Sequence, residues 1–91
     1  MTHRFKAVPT FWKSFHKLSP RQQAACRRLW PAFKQNPFAP QFKTHKIHAL
    51  SAKAGETVFA AVIEADLRVV FVQRGDLVVS LDVGSHAIYR T

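Results

Sequence analysis

The sequence predicts an α+β domain: a small, twisted, mostly antiparallel sheet with an N-terminal strand and an αα-hairpin on one face. Three observations predict it. First, residues 57–64, 67–73 and 77–83 are apolar runs separated only by Glu64-Ala65-Asp66 and Arg74-Gly75-Asp76, the pattern of strands joined by tight turns. Second, residues 11–18 and 20–30 repeat apolar side chains at helical spacing. Third, residues 3–8 alternate, with Phe5 and Ala7 on one side and Arg4 and Lys6 on the other. A chain of 91 residues holds one domain, residues 1–91.

The elements follow in order. Pro9 ends the first strand, because it supplies no ladder donor. Thr10 is the expected N-cap of a first helix over residues 11–18, with Phe11, Phe15 and Leu18 on one face. Ser19-Pro20 reads as an N-cap and first-turn proline that start a second helix. Its apolar stripe is Ala25, Cys26, Leu29 and Phe33, with Arg21, Arg27, Arg28 and Lys34 elsewhere. Pro31 is expected to kink or end it, and Asn36-Pro37 to stop it. The paired helices need an apolar partner, and the sheet is the one available. Residues 37–56 read as a loop punctuated by Pro37, Pro40 and Gly55. Within it residues 46–50 are expected to be extended, with Ile47 buried.

The strand after that loop is apolar on both faces, so it is central. In the next strand Leu67, Val69 and Phe71 share one face, and Arg68, Val70 and Val72 the other. In the last strand Leu77, Val79, Leu81 and Val83 are the expected core face, with Ser80 and Asp82 outward.

The charge is unevenly spread. Residues 1–53 hold eleven Lys and Arg and no acid, a balance of +11; residues 54–91 hold three Arg and five acids, a balance of −2. An acid-free half reads as a surface for a polyanion; the alternative is that the charge only solubilises. The single cysteine, Cys26, excludes an internal disulfide and reads as a small core residue. No apolar stretch approaches a membrane span and no secretory leader is visible, so a cytoplasmic chain is expected.

Five histidines show neither HExxH nor CxxC-like spacing, and no acid lies near His45 or His48. No metal or other cofactor is therefore expected. The remaining constellation is His48, Arg68, His86 and Tyr89, with Lys43 and Lys46. RNA cleavage without metal needs a base for the 2′-hydroxyl, an acid for the leaving oxygen and cations around the phosphorane. Histidine serves either proton-transfer role near neutrality, arginine clamps phosphate, and Tyr89 offers a stacking surface. The alternative keeps both histidines as hydrogen-bonded structural residues and pairs Arg68 with Asp66 or Asp82.

These residues carry a resemblance. The stretches His48-Ala49-Leu50, Asp66-Leu67-Arg68-Val69-Val70-Phe71 and Gly84-Ser85-His86-Ala87-Ile88-Tyr89 follow, in order and spacing, patterns of the RelE/ParE toxin superfamily of type II toxin–antitoxin systems. The likeness in layout covers nearly the whole chain; the specific motifs lie within residues 46–90. The resemblance implies a RelE-like fold and cleavage of mRNA in the ribosomal A site, without metal, through 2′-hydroxyl attack. It implies catalytic roles for His48, Asp66, Arg68, His86 and Tyr89, RNA contacts from Lys43, Lys46 and Lys53, and control by an acidic, partly disordered antitoxin. The chain departs from the pattern at Ala87, where many relatives have aspartate, and at Val62, where YafQ-like members carry a further histidine. Two other readings stay open: a ParE-like gyrase poison, and an inactive homologue retained for binding RNA or protein.

Overall fold

The computed structural model describes residues 3–89, and within that span the side chains of His86 and Tyr89 are outside the description. Five strands form one mixed sheet: β1 (Arg4–Ala7), β2 (His45–Lys46), β3 (Phe59–Glu64), β4 (Leu67–Arg74) and β5 (Leu77–Gly84). The spatial order is β1-β5-β4-β3-β2. β1 runs parallel to β5, and the other neighbours are antiparallel. The expected α+β class, the N-terminal strand and the three-strand meander are all present.

Helices α1 (Pro9–Lys17) and α2 (Pro20–Gln35) form the hairpin on one face. α1 starts earlier than expected: Pro9 is its first residue and Val8 holds the cap position, extended at ψ 161° with no side-chain cap. The reason is local. A residue before proline is driven out of the helical region, and proline's fixed φ suits the first helical turn. α2 opens with the expected Ser19, in a full capping box: Gln22 N–H donates to Ser19 Oγ and Ser19 N–H to Gln22 Oε1, both at 3.1 Å. It then continues through Pro31, which does not end it, and stops at Asn36, as expected. Pro31 is exposed, so the carbonyl that loses its donor can turn to water, and packing of Phe33 holds the following turn in place. Phe33, 1% exposed, touches Phe5, Phe42 and Phe71 with ring centroids 5.4–5.9 Å apart.

The expected loop is instead structured. Pro40–Phe42 form a 3-10 turn that buries Phe42, β2 follows, and α3 (His48–Ala54) replaces the extended stretch. Ile47 caps α3 and is only partly buried. Ala49, Ala52 and Ala54 favour helix, and Gly55 closes it at φ 73°, donating to the Ser51 carbonyl at 3.0 Å. Ser51 fastens α3 to the start of β3: Val58 N–H donates to Ser51 Oγ at 2.8 Å, and Ile47 N–H to Val58 O at 2.8 Å.

The last strand corrects the expected register. Val70 pairs with Asp82 while Phe71 pairs with Ser80, leaving Leu81 as an extra residue. This bulge turns the alternation over. Val78 and Val83 enter the helix-side core, whereas Val79 joins the opposite cluster of Val58, Val70 and Val72, with Leu77 and Leu81 beside it. Ser80, expected outward, is 1% exposed, and its Oγ has no partner. Leu81, expected in the core, is half-buried on the other face.

Candidate functional site

The face of the sheet opposite the hairpin is built by Val58, just before β3, Ala60 and Val62 of β3, Arg68, Val70 and Val72 of β4, and the bulge of β5. The pairings Val62–Arg68 and Arg68–Gly84 set Arg68 between its two neighbours at one end of this face. Its Nη1 donates to the carbonyls of Glu64 and Ala65, both at 3.1 Å. The guanidinium is thereby held against the β3–β4 turn, a rigid mount for a cation. Asp66 is exposed in that same turn. Asp82, one of the two acids that the structural alternative pairs with Arg68, accepts Val83 N–H at 2.9 Å.

Directly across from Arg68, Gly84 lets the chain leave the sheet. A 3-10 turn, His86–Tyr89, follows. Its shape is set locally: Ile88 N–H donates to Ser85 O at 3.1 Å and Ala87 N–H to Ser85 Oγ at 3.2 Å. Ile88 then folds back, so close that a β-carbon on Gly84 would lie 2.8 Å from its Cγ2. The backbone thus returns His86 and Tyr89 to the Arg68 end of the face, while their side chains are outside the described residues.

α3 covers the neighbouring part of the same face. A groove of about 320 Å³ separates it from the tail, lined by Leu50, Lys53 and Ala54 of α3, Val58, Val70 and Leu81 of the sheet, Asp82 and Ile88. His48 is the first residue of α3 and is exposed; Lys53 is exposed on its last turn. The face is therefore not open but forms a cleft between α3 and the tail.

The remaining lysines divide. Lys43 follows the Pro40–Phe42 turn in the left-handed region, at φ 46°. Lys46 pairs with Phe59, whose side chain belongs to the helix-side core, so its strand position is on the hairpin face, away from Arg68. The residue on Arg68's face is His45, paired with Ala60. Sequence reading passed over it. Its Nδ1 lies 2.9 Å from the Lys43 carbonyl. A carbonyl only accepts, so Nδ1 carries the proton and Nε2 is the basic nitrogen of the neutral ring. Nothing in the sequence marks this, since it depends on the left-handed turn at Lys43. Among the described residues no three His, Cys, Asp or Glu side chains group as metal ligands, and no helix is long and apolar enough to cross a membrane.

No family model matches the sequence, and no curated protein matches it either. Solved structures do. The archaeal RelE–RelB complex from Pyrococcus horikoshii matches with TM-score 0.72 and 16% identity, covering 100% of both chains. YafQ from E. coli strain BL21(DE3) matches with TM-score 0.74 and 15% identity over 98% of this chain and 99% of its own. The RelBE2 toxin–antitoxin complex from Mycobacterium tuberculosis matches with TM-score 0.73 and 18% identity over 94% and 100%. This chain has the fold of the RelE/ParE-type toxins of toxin–antitoxin systems.

Proposed function

We propose that this protein is the toxin of a type II toxin–antitoxin pair and cleaves mRNA on the ribosome. The observation that supports the reading most is the cleft itself. It runs between α3, which begins at His48, and the tail that leaves the sheet at Gly84, and Arg68, fixed on the β3–β4 turn, is paired with that Gly84. The acid-free half supplies a cationic approach to RNA. In this reading His48 takes the 2′-hydroxyl proton, and the 2′-oxygen attacks phosphorus. Arg68 balances the charge of the phosphorane, and His86 returns a proton to the departing 5′-oxygen. The products are a 2′,3′-cyclic phosphate and a free 5′-hydroxyl. Tyr89 stacks a base, Asp66 sits beside the Arg68 mount, and Lys43, Lys46 and Lys53 contact the RNA backbone. The partner is an acidic antitoxin, and the pair acts in the cytoplasm.

Induced expression followed by primer extension on cellular mRNA tests this. Growth arrest with new transcript ends inside reading frames is expected, lost in Arg68→Ala and His86→Ala. Growth arrest with intact transcripts and inhibited supercoiling would move the protein to gyrase; no arrest at all would leave a binding homologue.

A further inference from the structure

The proton-transfer steps leave one part of the cleft unused, the groove of about 320 Å³ between α3 and the tail. Val58, Val70 and Leu81 form its floor, and Leu50 of α3 and Ile88 of the tail stand at its walls. These five are apolar, yet the carboxylate of Asp82 lines the same recess. Its pairing with Val70, next to the bulge, puts it on that face. An acid is costly there. Residues 1–53 contain none, and a carboxylate in a cleft that takes RNA repels the phosphates. Nor does the fold use the whole group. Among the described residues the ion pairs engage Glu56, Glu64 and Asp76. Asp82 Oδ1 accepts Val83 N–H at 2.9 Å, which fixes the carboxylate. A carboxylate offers further acceptor sites beyond that one.

Size and position narrow what the recess can hold. Ligand cavities begin at about 300 Å³, so this one suits a single flat ring system. Arg68 precedes Val70 by two residues on the same face, about 6.6 Å along β4. A phosphate held at Arg68 therefore leaves its nucleotide within reach of the groove.

We propose that the groove is a nucleobase subsite of the cleft, in which Asp82 accepts the amino group of cytosine, adenine or guanine and disfavours uracil. Apolar walls cover the faces of an unstacked base, and a fixed polar group reads its edge. Aspartate accepts from cytosine N4 in this way. Uracil has no amino group. Its one ring N–H on that edge lies between two carbonyl oxygens, which the carboxylate repels. The proposal rests on the reading of this chain as an RNA-cleaving toxin, and names a base that it selects beside the scissile phosphate.

Two measurements test it, one of them independent of cleavage. In amide-resonance titrations CMP, AMP or GMP should shift Val58, Val70 and Leu81 and bind about tenfold more tightly than UMP. Asp82→Asn should erase that difference, because its amide still accepts Val83 N–H and can also donate to a uracil oxygen. Ala54→Leu, at an exposed position on the groove, should weaken all four nucleotides. Unchanged melting curves keep both variants comparable. Single-turnover cleavage is then followed on ribosome-bound mRNAs that differ only in the two bases flanking the cut. Uracil on one side should slow the wild type about tenfold, and Asp82→Asn should even the rates. Equal cleavage beside all four bases, or a preference unchanged in Asp82→Asn, overturns the subsite and leaves the nuclease standing. Groove amides that no monophosphate shifts overturn it as well. Monophosphates that discriminate through Asp82 on a protein that cuts no mRNA keep the subsite and remove the nuclease.

Discussion

Gly84→Ala probes the join between the sheet and the tail. The new methyl would lie 2.8 Å from Ile88 Cγ2, where carbon atoms settle about 3.5–4.0 Å apart. Something must move by about 1 Å. Ile88 is β-branched and stiff at χ1, so the tail lifts more readily than the side chain turns. The loss is bounded by what the tail contributes. Ile88 is half-buried against the cluster of Val58, Val70, Val72 and Val79. Full burial of isoleucine is worth about 1.5–3 kcal/mol, so release costs about 1 kcal/mol, or about 4–8 °C in Tm for a domain this size. Ile88→Ala removes the same contact at a similar cost. In the double variant the added methyl occupies space the truncation vacates. Its cost should match Ile88→Ala alone, a coupling of about 0.5–1 kcal/mol. Melting curves measure the cycle. Amide exchange at Ile88, whose N–H donates to Ser85 O, should quicken in Gly84→Ala. Under the proposed function cleavage falls further than stability, because the tail carries His86 and Tyr89. Strict additivity with unchanged exchange would refute the argument.

Ser80→Ala removes a buried hydroxyl that has no partner, so urea denaturation should show no loss or a small gain, while Leu81→Ala, half-buried at the bulge, should cost about 1 kcal/mol. His48→Ala should slow single-turnover cleavage of ribosome-bound mRNA by about 10²–10⁴ with an unchanged melting curve; wild-type cleavage would pass the base role to another group, His45 first. Burial pushes the Cys26 thiol up to about 11, with Glu64 adding and Arg27 opposing. Alkylation at neutral pH should be slow until the protein unfolds. Because the folded value is raised, this thiol's contribution is intact below pH 9.0, the unfolded value, and fades as pH rises through about 11. Arg74 holds the Glu56 carboxyl below its usual value of 4.5. That contribution is intact above the unfolded value and lost as pH falls through the folded one, so Glu56→Gln should flatten the acid limb of stability against pH.

Local chemistry was legible wherever one residue type settles the backbone. Ser19-Pro20 and Gln22 start α2, Gly75 at φ 65° turns β4 into β5, and the apolar runs of residues 57–83 become a meander. These signals act within a few residues, so a sequence carries them whole. The misreadings share a different origin. α3 buries no side chain fully and has no apolar stripe to announce it; it exists because Ser51 fastens it to Val58 across the strand start. Pro31 stays inside α2 because Phe33, one half-turn on, is locked among three other rings. The bulge at Leu81 exchanges the faces of residues 77–80 while Asp82 and Val83 keep theirs, and alternation cannot report it, since Leu77, Val78, Val79 and Leu81 are all apolar and either register satisfies the pattern. The candidate site divides the same way. The sequence by itself determined its residue types, the acid-free half and the glycine before the tail. Which side chains share a face was decided only by strand pairing, which set Arg68 against Gly84 and exchanged Lys46 for His45. Pairing joins residues far apart in the chain through backbone hydrogen bonds that no side chain encodes.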